Sequence, residues 1–165
     1  MLSDFETRMH SACFTGHRPE KLCVTEQKVV LGLEDRIDEA IADGYHTFIT
    51  GMARGVDIWA AEIIIQRKKN NSDLKLICAL PYDGFEKSWS IDWQKRYRNI
   101  LEHADVIQTI STGYSKACFQ KRNEWMVDHS TRVIAVWNGK PSGTKNTIDY
   151  ANSKSVDVEN ILDNK

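Results

Sequence analysis

Along this chain apolar residues repeat with two different periods, and the two periods alternate. Five short runs, ACFTG, HTFITG, LKLICALP, DVIQTIS and RVIAVWNG, are rich in β-branched and aromatic residues and end at Gly, Pro or Ser, which predicts five strands. Between them the spacing widens to that of a helix. In TEQKVVLGLEDRIDEAIADG, Val29, Leu33, Ile37 and Ile41 recur every four residues among charges, with Thr25 placed to cap the start and Gly44 to stop the end. GVDIWAAEIIIQRKKNN repeats the pattern through Ile58, Ala61 and Ile65 and closes on a basic turn that suits the helix dipole. Helices are also predicted over FEKSWSIDWQKRYRNILEHA, CFQKRNEWMVDHS and TKNTIDYANS, and SVDVENIL predicts a short sixth strand at an edge.

Strands joined by helices lie parallel and carry helices on both faces. The expected fold is therefore α/β: a Rossmann-like, doubly wound, mostly parallel sheet of five or six strands. No linker, repeat or low-complexity stretch divides the chain, so residues 1–165 are read as one domain with its core over 11–151.

Composition narrows the function. With 22 basic and 23 acidic residues the net charge is −1, which disfavours nucleic acid and anionic membrane as partners, because neither is drawn to a surface without positive excess. No apolar stretch approaches the roughly 20 residues of a membrane span. The opening MLSDFETRMH has no apolar h-region, so no secretory signal is expected. Cys13, Cys23, Cys78 and Cys118 show no C-x-x-C spacing and are expected as buried free thiols, with no metal site. Together these place the protein in the cytoplasm. A homo-oligomer is compatible with the sequence.

In a doubly wound sheet the ligand binds outside the carboxyl ends of the strands, near the point where strand order reverses. Two strands end there in Thr-Gly: CFTGHRP, with Gly16, His17 and Arg18, and ITGMARGVD, with Gly51, Gly55 and Asp57. Glycine lets backbone approach a ligand, His17 and Arg18 add side-chain donors, and arginine grips a phosphate with two parallel bonds. Asp57 reads either as a helix-cap acid or as a partner for a ribose hydroxyl. After the last long strand, Ser142, Gly143 and Thr144 open a helix whose free N–H groups attract anions. Arg122 and Asn123 sit mid-helix in QKRNEWM as further candidates. Trp89, Trp93 and Tyr97 fall at i, i+4 and i+8, one aromatic stripe on one helix, more in keeping with core packing than with a base platform. Trp89, nearest the LPYDGF loop, is the member expected to touch a ligand.

In order, CFTGHRPEKL, ITGMARGVDIWAAE, LPY followed by Trp89, QKRNEWMVD and VWNGKPSGT resemble the YpsA-like proteins of bacteria and their phages. Those belong to the SLOG superfamily, with DNA-processing protein A and the LOG phosphoribohydrolases. The resemblance runs from about Cys13 to Ala151. It implies a Rossmann-like fold holding a nucleotide-derived ligand at Gly16, His17, Arg18, Gly51, Gly55, Asp57, Arg122, Asn123, Gly143 and Thr144. LOG enzymes carry M-x-x-R-K-x-x-M and P-G-G-x-G-T-x-x-E, whose final Glu serves N-glycosidic hydrolysis. This chain keeps Arg122, Met126, Gly143 and Thr144 but has Asn123 for the lysine and Thr147 for the Glu. Threonine is no general acid or base near neutral pH. The resemblance thus implies a binder of an ADP-ribose derivative, NAD or a related signal, acting as sensor or sequestering protein, with no catalytic residue and no cofactor beyond that ligand. Two alternatives stay open. One is a nucleotide N-glycosidase or phosphohydrolase in which Glu124 or Asp128 replaces the missing carboxylate. The other is a single-stranded DNA binder.

Overall fold

A computed structural model describes residues 4–162. In chain order the elements are α1 (Asp4–Met9), β1 (Ser11–Gly16), a 3-10 turn (Pro19–Lys21), α2 (Glu26–Ala42), β2 (Thr47–Thr50), α3 (Val56–Lys68) and β3 (Lys75–Leu80). Then follow α4 (Ile91–His103), β4 (Val106–Thr109), α5 (Cys118–Asp128), β5 (Arg132–Val136), α6 (Gly143–Ser153) and β6 (Asp157–Asn160). All six strands pair in parallel, in the order β4-β3-β2-β1-β5-β6. The α/β Rossmann-like expectation holds, with six strands. SVDVENIL supplies the sixth, at the edge beside β5 and past the expected core boundary.

Side chains alternate across the sheet and build two unequal cores. Phe14, Phe48, Leu76 and Ile134 point to the face covered by α2, α3 and α4, where Val29, Leu33, Ile37, Ile58 and Ile64 pack on them. Cys13, Ile49, Ala79 and Val133 point to the other face, against Met126 and Val127 of α5 and Ala151 of α6. β2 and β1, the inner pair, and β5 beside them are buried along all or nearly all of their length, and β4 at the edge is exposed throughout. Thr25 caps α2 through its hydroxyl, which accepts from Lys28 N–H at 3.2 Å, and Gly44 ends it at φ +97°. No described helix is long and apolar enough to cross a membrane.

Three expectations need correction. Residues 83–88 form turns, so α4 starts at Ile91, where Ser90 caps it by accepting from Trp93 N–H at 3.4 Å. Trp89 therefore precedes the helix and does not share its stripe, although its ring still meets Tyr97 at 5.5 Å. α1 was not expected; the six-residue segment is too short to carry a helical period. Cys13, Cys78 and Cys118 are buried free thiols, but Cys23 is exposed. Burial pushes the Cys13 and Cys78 thiols up to about 12, which makes them unreactive.

Candidate functional site

Strand order reverses between β1 and β5, the place where a doubly wound sheet opens a crevice. The loops leaving these two strands are stitched together there. Asn138 donates its backbone N–H to His17 Nε2 at 3.1 Å, and its side-chain amide donates to Lys21 O at 3.3 Å. An accepting Nε2 makes His17 neutral with its proton on Nδ1, and burial holds its pKa below the usual histidine value. His17, expected from the sequence as a side-chain donor to a ligand, thus ties two loops together through Nε2 as an acceptor.

Beside this seam lies a cleft of about 840 Å³. Its floor at the strand ends comes from Gly16, Arg18, Ser142, Gly143 and Thr144. Ser142 caps α6 by accepting from Lys145 N–H at 3.1 Å, and the first N–H groups of α6 have no acceptor within the helix. Arg18 is exposed and, among the described residues, enters no ion pair. Lys21, Arg54 and Arg122 add positive charge, and no Asp or Glu lines the cleft among the described residues. The far wall is aromatic: Tyr82, Phe85, Trp89, Trp93 and Phe119.

The structure brings Gly16, His17, Arg18, Trp89, Arg122, Ser142, Gly143 and Thr144 to this cleft and leaves Gly51, Gly55, Asp57 and Asn123 behind its wall. Those four residues, three of them buried and Asn123 half-buried, work as a support. The Arg122 guanidinium donates to Gly51 O and, through Nε, to Asn123 Oδ1 at 2.8 Å. A Cβ on Gly51 would sit 2.9 Å from Arg122 Cζ, so this glycine makes room for the guanidinium and not for a ligand. Asp57 Oδ2 accepts from Ala53 N–H at 3.2 Å, while its buried Oδ1 has no partner. Burial raises the Asp57 pKa to about 6, against the pull of the nearby Arg122 charge. Gly55 caps α3 at φ +93°, a conformation that excludes most side chains.

Sequence reasoning missed Lys21, Arg54, Tyr82, Phe85 and Phe119, and it read Trp93 as core. Only Arg54 carried a local signal, standing between two glycines of a strand-end loop. The aromatic wall is assembled from the loop after β3, the first turn of α4 and the start of α5, the last of these distant in sequence.

The YpsA family model, described as the YspA SLOG family, matches residues 12–162. A relative is the SPβ prophage-derived protein YoqJ of Bacillus subtilis (strain 168), 35% identical over an alignment covering 74% of this chain and 81% of that one. A UPF0398 protein of Staphylococcus aureus (strain JH9) is 24% identical, with 64% and 58% covered. Among solved structures, DNA processing protein A of Streptococcus pneumoniae superposes with a TM-score of 0.63 at 19% identity, over 95% of this chain and 53% of that one. The Helicobacter pylori protein of the same name, whose structure is described by its single-stranded DNA binding mode, gives 0.62 at 19%, over 94% and 66%. The chain thus spans between half and two thirds of the solved structures it matches, and the likeness is one of fold. It does overturn the expectation that disfavoured nucleic acid. That expectation rested on net charge, which averages over the whole surface, whereas the cleft is locally basic. Matched by the family model over nearly its whole length and aligned with YoqJ at 35% identity, the chain belongs to the YpsA SLOG family.

Proposed function

We propose that the protein binds a nucleotide or nucleotide-derived ligand, such as an ADP-ribose derivative or NAD, in the cleft at the β1–β5 switch point, as a sensor or sequestering protein of the cytoplasm. One observation carries this reading: four cationic side chains and the α6 N-terminus share a cleft with five aromatic rings and no carboxylate. Such a lining suits a molecule with an anionic end and a flat apolar end. The carboxylates offered for hydrolysis are engaged elsewhere. Glu124 accepts from Gln120 at 3.0 Å and Asp128 from the Tyr150 hydroxyl at 2.8 Å. Thr147 is buried in α6 with its hydroxyl donating to Gly143 O at 3.0 Å. Binding is therefore favoured over N-glycosidic or phosphoester hydrolysis.

Single-stranded DNA is the second reading. The fold shared with the Helicobacter pylori protein supports it, as does an aromatic wall beside a basic floor, the combination that holds unpaired bases and their backbone. Calorimetric titration separates the two. ADP-ribose and NAD are titrated into wild type and Arg18→Ala, and a short oligothymidylate is titrated at low and high salt. A hydrogen bond to a charged group contributes about 1.5–3 kcal/mol, so Arg18→Ala is expected to weaken nucleotide binding about ten- to a hundredfold. Tight, strongly salt-dependent oligothymidylate binding with no nucleotide affinity would move DNA to first place. No heat from any of the three would sink both readings.

A further inference from the structure

Two indoles reach the cleft, and their surroundings differ. Trp93 has Arg96 over its ring at 4.8 Å, and that guanidinium is fixed by Glu62, with Nη2 to Oε1 at 2.6 Å and Nε to Oε2 at 3.0 Å. Its π-surface is already in use. Trp89 touches Phe85 at 5.2 Å and Tyr97 at 5.5 Å, with interplanar angles of 80° and 90°. Both neighbours stand perpendicular to it, and among the described residues no parallel ring or cation stacks on it.

Trp89 is also held in place before any ligand arrives. Its N–H donates to Glu86 O at 3.0 Å, and its carbonyl accepts from the Gln94 amide at 2.8 Å. The turn that carries it ends at the Ser90 cap, so the indole is fixed by backbone and packing together. A rigid half-buried indole loses little entropy when a flat group lies on it.

We propose that Trp89 is the nucleobase platform of this cleft, taking the base of a mononucleotide unit while Arg18 and the α6 N-terminus take its phosphate. This rests on the nucleotide reading above and narrows it: the ligand must carry a base, and a ribose phosphate alone uses only half of the site. Trp93, with Arg96 on its ring, contributes shape and not stacking.

The test titrates AMP, ribose 5-phosphate and inorganic phosphate into wild type, Trp89→Ala, Trp89→Phe and Trp93→Ala. Base–aromatic stacking implies a loss of roughly five- to a hundredfold for AMP in Trp89→Ala. Ribose 5-phosphate affinity should be unchanged in that variant, Trp89→Phe should recover most AMP affinity, and Trp93→Ala, which removes part of the wall's shape, should weaken AMP and ribose 5-phosphate alike and AMP by less than Trp89→Ala does. Equal wild-type affinity for AMP and ribose 5-phosphate would overturn the platform while leaving the anion site standing. So would a Trp89→Ala variant that keeps its AMP affinity, or one that loses AMP and ribose 5-phosphate by the same factor. Absence of binding by all three compounds to wild type would remove the platform and the nucleotide reading together.

Discussion

β1 and β2 both run out through Thr-Gly at neighbouring places on the same rim, and the two loops that follow are used in opposite ways. After β1 the chain passes through His17, tied to Asn138, and then exposes Arg18 to the cleft. After β2 it turns inward. Met52 is fully buried at φ +63°, its N–H directed at Thr50 Oγ1 at 3.3 Å, and Gly51 O accepts from the buried Arg122. A left-handed methionine costs about 1 kcal/mol or more and persists only because packing dictates it. Even Arg54, which reaches the cleft, is spent on the first loop, holding Glu20 with Nη2 to Oε1 at 2.8 Å. One loop presents a side chain, and the other supports the wall behind it. The shared Thr-Gly does not assign the role; what lies against each loop does.

The comparison can be broken most severely at the close packing of the first loop's glycine. A Cβ on Gly16 would lie 2.4 Å from Val56 Cγ2 and 2.6 Å from Val56 Cβ, on a stiff β-branched side chain at the start of α3. Gly16→Ala is expected to lose roughly 3–4 kcal/mol in urea unfolding, because β1 and α3 must separate. A loss below about 1 kcal/mol would show that this contact yields easily.

The second loop is probed by pH. Asp57 has its folded pKa raised to about 6 from 3.8, so the folded state binds the proton more tightly than the unfolded state does. Its contribution to stability is full below about pH 4, declines as pH rises to about 6, and is lost above that. The difference between pH 4 and pH 7 is up to about 3 kcal/mol. Other carboxylates bend the curve too, so the measurement is the difference between wild type and Asp57→Asn across that window. Parallel curves would show that Asp57 does not titrate abnormally.

A smaller effect is expected where the first loop meets solvent. Arg18→Ala should leave unfolding free energy within about 0.5 kcal/mol of wild type, because the side chain is exposed and enters no ion pair among the described residues. A larger loss would make Arg18 part of the support and erase the contrast between the loops. Gly143→Ala is expected to shift stability only slightly, and in the opposite direction. Nothing lies within 4 Å of the Cβ it would add, and its φ lies outside the left-handed region. Stability should change by less than about 1 kcal/mol, with a gain favoured by helix propensity, and thermal melts would register it.

The alternation of strand and helix, the parallel sheet, the cap at Thr25, the stop at Gly44 and the helix opening at Ser142 to Thr144 were legible in the sequence. Each depends on residues a few positions apart and on the period of burial. Legible too was the shared rim of the strand-end loops, because the carboxyl ends of parallel strands meet on one side by geometry alone. Tertiary structure decided the rest. Only packing shows that Gly51 faces the Arg122 guanidinium, that His17 accepts from Asn138, and that Asp57 lies buried with one oxygen unpartnered. Only the fold brings Trp89, Phe119 and Arg18 to one cleft across a hundred positions of chain. Local sequence fixes which way the backbone turns, while the use of each side chain depends on neighbours that arrive from elsewhere.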